Sequence, residues 1–165
     1  MNAKQILLDQ FRSCYDENGW FVALKNALQG VNAENAARKP ENVDNSIWEI
    51  LSHLNFYNYA YLERFKGADY EYGISSNDDT FSQASMPSAE DWQQELDRFE
   101  SIMSGWLEEL ANADESKLAE LAPPRKESPW WLVIANINTH NAHHGGQIVL
   151  LKKLQGIWEV DKGVS

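Results

Sequence analysis

Cysteine is nearly missing from this chain. Cys14 stands alone among 165 residues, so no internal disulfide can form, and that usage fits a reducing cytoplasm. Long apolar runs are missing too. Nowhere do about 18 apolar residues follow one another, which excludes a membrane-spanning helix. The first residues, MNAKQILLDQF, lack the unbroken apolar segment of a secretion signal, because Asp9, Gln10 and Arg12 interrupt it. Positive charge is scarce: 14 Lys and Arg stand against 25 Asp and Glu, for a net charge of −11. Nucleic-acid binding needs Lys and Arg to replace counterions along a phosphate backbone, and an anionic membrane needs a basic face. Neither is expected here. Repeats and low-complexity tracts are absent as well. What remains, at 43% hydrophobic residues with clear periodicity, is a single folded domain over residues 1–165.

The most informative stretch runs from Ser128 to Gly156 and holds three of the four histidines. It reads as a long helix. Ser128 is expected at the N-cap and Pro129 at the first helical position, where a missing N–H costs nothing. Lys152 and Lys153 suit the C-terminal dipole, and Gly156 suits the left-handed residue beyond it. At roughly 100° per residue, Trp130, Ile134, Ile137, Asn141, Ile148 and Leu151 share one face. His144 falls about 20° from the centre of that face, His140 about 60° and His143 about 120°. His140 and His144, at i and i+4, therefore face inward together, as in helical zinc motifs, while His143 points sideways or out. Gly145 and Gly146 follow, and each costs a helix roughly 1 kcal/mol against alanine. Their placement suggests a close approach of a neighbouring helix or a ligand to the backbone.

Three further helices are expected. The first covers Ala3 to Leu28 on the stripe Leu7, Phe11, Cys14, Phe21, Leu24 and Leu28, with Asn18-Gly19 as a kink or break and Gln29-Gly30 as the end. One helical turn is expected at Ala33 to Ala37. The second begins with the capping box Ser46-Ile47-Trp48-Glu49 and stops at Gly67. Its stripe is Ile47, Ile50, Leu51, Leu54, Tyr57, Tyr61 and Phe65, with His53 on the flank and Phe56 and Ala60 on the far side. Apolar character over most of the circumference implies burial on two faces, one of them a candidate subunit interface. The third opens on the capping box Ser88-Ala89-Glu90-Asp91, carries the seam Trp92, Leu96, Phe99, Met103, Trp106 and Leu110, and ends near Asn112. The long polar connection from Ala68 to Pro87 has a geometric reason, since joining two parallel helices requires a return along their length. Asn77 to Asp79 reads as solvated surface and lacks calcium-loop spacing. The fold class is all-α, a four-helix bundle with a long connection between helices two and three.

Two stretches carry a family resemblance: Asn45-Ser46-Ile47-Trp48-Glu49-Ile50-Leu51-Ser52-His53 and His140-Asn141-Ala142-His143-His144-Gly145-Gly146-Gln147-Ile148. Together they resemble the DinB/YfiT-like superfamily of metal-dependent bacterial proteins, whose signature is H-x-x-x-H-x-G-Q-I. The resemblance covers essentially the whole chain. It implies that His53, His140 and His144 bind one divalent metal, nickel or zinc, between helices two and four of an up-down-down-up bundle. It also implies a homodimer. Gly145 departs from the pattern, standing where many relatives carry a polar or basic residue.

Three imidazoles on one ion leave coordination positions open, the arrangement of catalytic rather than closed structural sites. Some relatives look like thiol-dependent transferases or isomerases. The resemblance thus implies an enzyme that activates a low-molecular-weight thiol for attack on a small electrophilic substrate, in stress response or detoxification. A metal-dependent hydrolase, a binding protein without turnover and a bundle stabilised by its metal are the alternatives. Cys14 stands at no ligand position. Tyr57, Tyr61, Trp130 and Trp131 are either core or pocket lining. The sequence singles out no hydrogen-bond partner for the imidazoles. Glu49, one turn before His53, and Gln147, one turn after His143, are the neighbours along the helices.

Overall fold

Asn2, Ser46 and Ser88 each begin a long helix in the computed structural model of the chain, which describes residues 2–83 and 85–163. All three form capping boxes, in which the cap side chain accepts from a backbone N–H three residues on and the Gln or acid there answers the cap's own N–H. Seven α-helices result among the described residues: α1 (Ala3–Tyr15), α2 (Leu24–Leu28), α3 (Ala33–Ala37), α4 (Ile47–Phe65), α5 (Ala89–Asn112), α6 (Glu115–Ala119) and α7 (Trp130–Leu154). Two 3-10 turns, Asn77–Thr80 and Val160–Lys162, complete them. Among the described residues there is no strand, only an isolated bridge between Leu121 and Pro129. Among the described residues no helix is long and apolar enough to cross a membrane.

Three local expectations need correction. The first helix does not reach Leu28. It ends at Tyr15, where Asp16 and Glu17 N–H both donate to the Arg12 carbonyl at 3.0 Å, and the Asn18 side chain reaches forward to accept from Ala23 N–H at 3.0 Å and from Asn26 Nδ2 at 2.9 Å, so that a separate α2 starts at Leu24. Phe21, counted on the stripe, is left 40% exposed. Ser128 does not cap the last helix. Pro129 holds that position without a side-chain bond, and the Ser128 carbonyl instead accepts from Ala122 N–H at 2.9 Å. The Gly145-Gly146 pair marks no close approach. A Cβ on Gly145 would lie at ordinary distance, 3.5 Å from Leu24 Cδ2, and one on Gly146 would meet nothing within 4 Å. The tight approach lies elsewhere, at Gly105 on α5, where a Cβ would sit 3.1 Å from Leu62 Cδ2 on α4.

The four long helices pair in a ring: α7 and α5 each pack on both α1 and α4. One hydrophobic cluster takes residues from every helix, with Phe11, Leu54, Met103, Trp106, Trp130, Ile134 and Ile148 fully enclosed. Two buried indole N–H groups find backbone acceptors: Trp106 donates to the Asn58 carbonyl at 2.9 Å and Trp92 to the Val31 carbonyl at 2.8 Å. Where α4 meets α7, Asn58 and Asn141 exchange two side-chain bonds of 2.8 and 3.0 Å. Lys152 reaches across to the end of α2, donating to the carbonyls of Ala27 and Gln29 at 2.8 and 2.7 Å.

The far face of α4 is covered by the same chain. The connection after Gly67 (φ 98°) brings Tyr72 against Phe56 and Tyr57, each at 5.7 Å between centroids, and Tyr70 against Tyr59 at 5.6 Å. The second apolar face of that helix therefore packs on its own connection, and the 3-10 turn Asn77–Thr80 lies beside it.

Candidate metal centre

His53 comes from the middle of α4, and His140 and His144 come from successive turns of α7. The crossing of the two helices at Asn58 and Asn141 turns these faces toward each other. One nitrogen from each ring lies within 4.8 Å of the others. His53 Nε2 and His140 Nε2 are 3.0 Å apart. On a tetrahedral zinc with bonds of about 2.0–2.1 Å, ligand nitrogens sit about 3.3 Å from one another. A pair as wide as 4.8 Å reaches that distance with roughly 1.5 Å of movement.

Hydrogen bonding fixes which nitrogen faces the centre. His53 Nδ1 lies 2.6 Å from Thr80 Oγ1. The Thr80 hydroxyl spends its one proton on the Asn77 carbonyl, also at 2.6 Å, so toward His53 it can only accept. His53 therefore carries its proton on Nδ1 and presents a lone pair on Nε2. His144 Nδ1 lies 2.6 Å from Gln147 Oε1, an oxygen that only accepts, so His144 too carries its proton on Nδ1. His140 Nε2 faces the His53 lone pair. With a cation between them both present lone pairs; without one, His140 must donate from Nε2. The donor set fits a divalent metal: three imidazole nitrogens, two with tautomers set by outer partners.

The protonation states agree. Burial, followed by the neighbouring His144 and His140 rings, lowers the His53 pKa to about 3. Burial, then His144 and His143, lowers His140 to about 4. His144 is lowered by burial, against an opposing pull from its Gln147 bond. Neutral imidazole is the form that binds metal, so no proton has to leave first at pH 7. Phe81 stacks on His53 at 4.0 Å and 11° between planes, and Tyr57 meets it edge-on at 5.0 Å. The centre opens on a cavity of about 740 Å³, walled by α4, α7, the Tyr72–Phe81 part of the long connection and the Ala122–Ser128 segment before α7.

A family model for the DinB superfamily matches residues 21–148, a span that includes all three histidines. The chain belongs to the DinB superfamily. Comparisons with curated proteins and with solved structures gave no match.

Within this DinB-superfamily chain, the structure brings together the three histidines singled out in the sequence. His143 is exposed and outside the group. Of the two polar neighbours along the helices, Gln147 contacts an imidazole. Glu49 does not: it holds Ser46 N–H and the Lys39 ammonium, each at 2.8 Å. Cys14 is buried with Sγ 3.2 Å from the Asn138 carbonyl, and burial pushes its thiol up to about 11. Trp130 is core and Trp131 is exposed, whereas Tyr57 and Tyr61 line the cavity. The sequence does not point to Thr80, Phe81 and Tyr72, because Asn77 to Asp79 reads as solvated surface. One signal was present. Ser76-Asn77-Asp78-Asp79 repeats the spacing of the two helix-starting boxes, and Asp79 does accept from the N–H groups of Ser75 and Ser76 at 2.8 and 2.9 Å. That ordered turn is what holds Thr80 against His53.

Proposed function

We propose that His53, His140 and His144 hold one divalent ion, nickel or zinc, through Nε2, and that the chain is a metal-dependent enzyme using a low-molecular-weight thiol to modify a small electrophile. The observation that carries the reading is the convergence of three neutral imidazoles beside a cavity of substrate size. Bound there, a divalent ion supplies Lewis acidity that lowers the pKa of a thiol or water. The chain's own residues do the rest. Thr80 and Gln147 keep the ring nitrogens aimed inward. Phe81 and Tyr57 shield one side from water. The cavity gives the co-substrates a place to meet. The pairing of α1, α4, α5 and α7 around one core supports an up-down-down-up bundle. A homodimer in the cytoplasm completes the reading.

Elemental analysis of untagged protein tests it, beside a His140→Ala/His144→Ala variant. The expected result is near one metal per chain in the parent and none in the variant, followed by thiol-dependent turnover of electrophiles with that metal. A parent that takes up neither zinc nor nickel removes the basis of the reading. Full metal occupancy without turnover would point to a binding protein.

A further inference from the structure

Among the described residues Arg64 is a buried cation without an ion-pair partner. It sits near the end of α4, 4% exposed, and it lines the cavity. Its Nε–H donates to the Tyr70 carbonyl at 2.9 Å. Its guanidinium carbon lies 4.1 Å from the Tyr72 ring centroid and 5.5 Å from that of Tyr61. Among the described residues no carboxylate lies within ion-pair distance of it, and no acceptor faces its Nη atoms. Burying a charge without a partner is costly. The contacts with Tyr70 and Tyr72 account for Nε and for the ring face. They leave the end-on fork of Nη1 and Nη2, whose two parallel N–H bonds match a carboxylate.

We infer that Arg64 is a carboxylate-binding residue of the cavity, and that the ligand carries this carboxylate about 10 Å from the end that reaches the three histidines. His53, Tyr57, Tyr61 and Arg64 follow one another along a single face of α4, and all four line the cavity. From His53 to Arg64 the helix rises roughly 16 Å, and both side chains lean back toward the N-terminus, the longer arginine by a few ångströms more, so their ends lie closer than that. The remaining span of about 10 Å is the length of an extended tripeptide or of a straight chain of about eight carbons. Tyr61, a half-buried phenol pushed up to about 12 by burial and by its bond to Tyr72, stays neutral beside Arg64 and adds no competing anion. This inference rests on the metal-centre reading for the ligand's reactive end, and on Arg64 alone for the other.

Calorimetric titration of the zinc-loaded chain with two matched series of straight-chain thiols, ending in a carboxylate or in the primary amide, tests it. In the parent, the carboxylate of about eight carbons should bind about 10- to 100-fold tighter than its amide, the size of a charge-assisted pair. Arg64→Gln should reduce that preference to within about threefold, and Arg64→Lys should keep part of it. Equal affinity for acid and amide at every length in the parent overturns the inference, even if Arg64→Gln does not fold. So does an undiminished preference in folded Arg64→Gln with a lowered Tm, which would mark Arg64 as an anchor for the connection only. Straight-chain acids and amides without the thiol separate the two readings. An acid preference there, in a parent that takes no metal, keeps the Arg64 site while the metal centre falls.

Discussion

Thr80 decides what His53 can do. A hydroxyl that has given its proton to the Asn77 carbonyl can only accept, and that forces the His53 proton onto Nδ1. Thr80→Val keeps the shape and removes the acceptor. Metal affinity should fall about 10- to 100-fold, the usual cost of losing an outer partner of a ligand histidine, as read by competition with a chromophoric chelator. The metal-free protein should lose about 1–3 kcal/mol, because a buried N–H is left unpaired. An unchanged metal Kd would mean that packing against Phe81 alone orients the ring. His140 and His144 were legible at this scale, since the 3.6-residue repeat places i and i+4 on one face. Thr80 and Arg64 were not. Thr80 lies 27 positions from the ring it serves, and nothing local to Arg64 says that its ion partner is missing.

Among the elements, α4 and α7 make the site by crossing at Asn58 and Asn141. The reciprocal bonds of 2.8 and 3.0 Å sit in the buried interface, with Asn141 next to His140 and about one turn before His144. Asn141→Leu should cost about 1–3 kcal/mol in urea unfolding, because Asn58 Oδ1 loses its donor. Adding Asn58→Leu should recover much of that loss, since removing both members of a buried pair leaves nothing unsatisfied. Strictly additive losses would show that the two amides do not act as a unit. Both helices were legible as apolar stripes with good caps, and the two capping boxes at Ser46 and Ser88 stand where the sequence placed them. The break after Tyr15 was only half legible. Asn18-Gly19 signalled it, but the bonds that start α2 come from a side chain reaching forward five and eight residues along its own chain.

At the scale of the whole molecule, the histidines couple the fold to pH. His53 and His140 titrate at about 3 and about 4 in the folded chain, below the ordinary 6.5. Between those values the unfolded chain binds more protons than the folded one, so unfolding becomes easier as pH falls. Their contribution is complete above about pH 6.5 and is lost progressively toward pH 4. His53→Phe keeps a ring against Phe81 and removes one of these titrations. The Tm of metal-free His53→Phe should therefore drop less than that of the parent between pH 7 and pH 4.5, in paired thermal melts. Parallel curves would mean that the acid loss comes from the carboxylates of this acidic chain instead.

The sequence by itself determined what depends on neighbours a few residues away. Helix starts follow from capping side chains that reach three residues on, helix ends from the left-handed glycines at 67 and 156, and the inward pair of histidines from helical period. It also set the acidic charge and the single unpaired thiol. The tertiary structure decided everything that depends on the path of the connections. That path brings Thr80 under His53, lays Tyr72 over Arg64 and across the far face of α4, and closes the cavity with the segment before α7. The physical reason is range. Caps and stripes are settled by bonds within a turn or two, whereas the course of a polar connection is settled by which buried groups, far away in the chain, still need a partner.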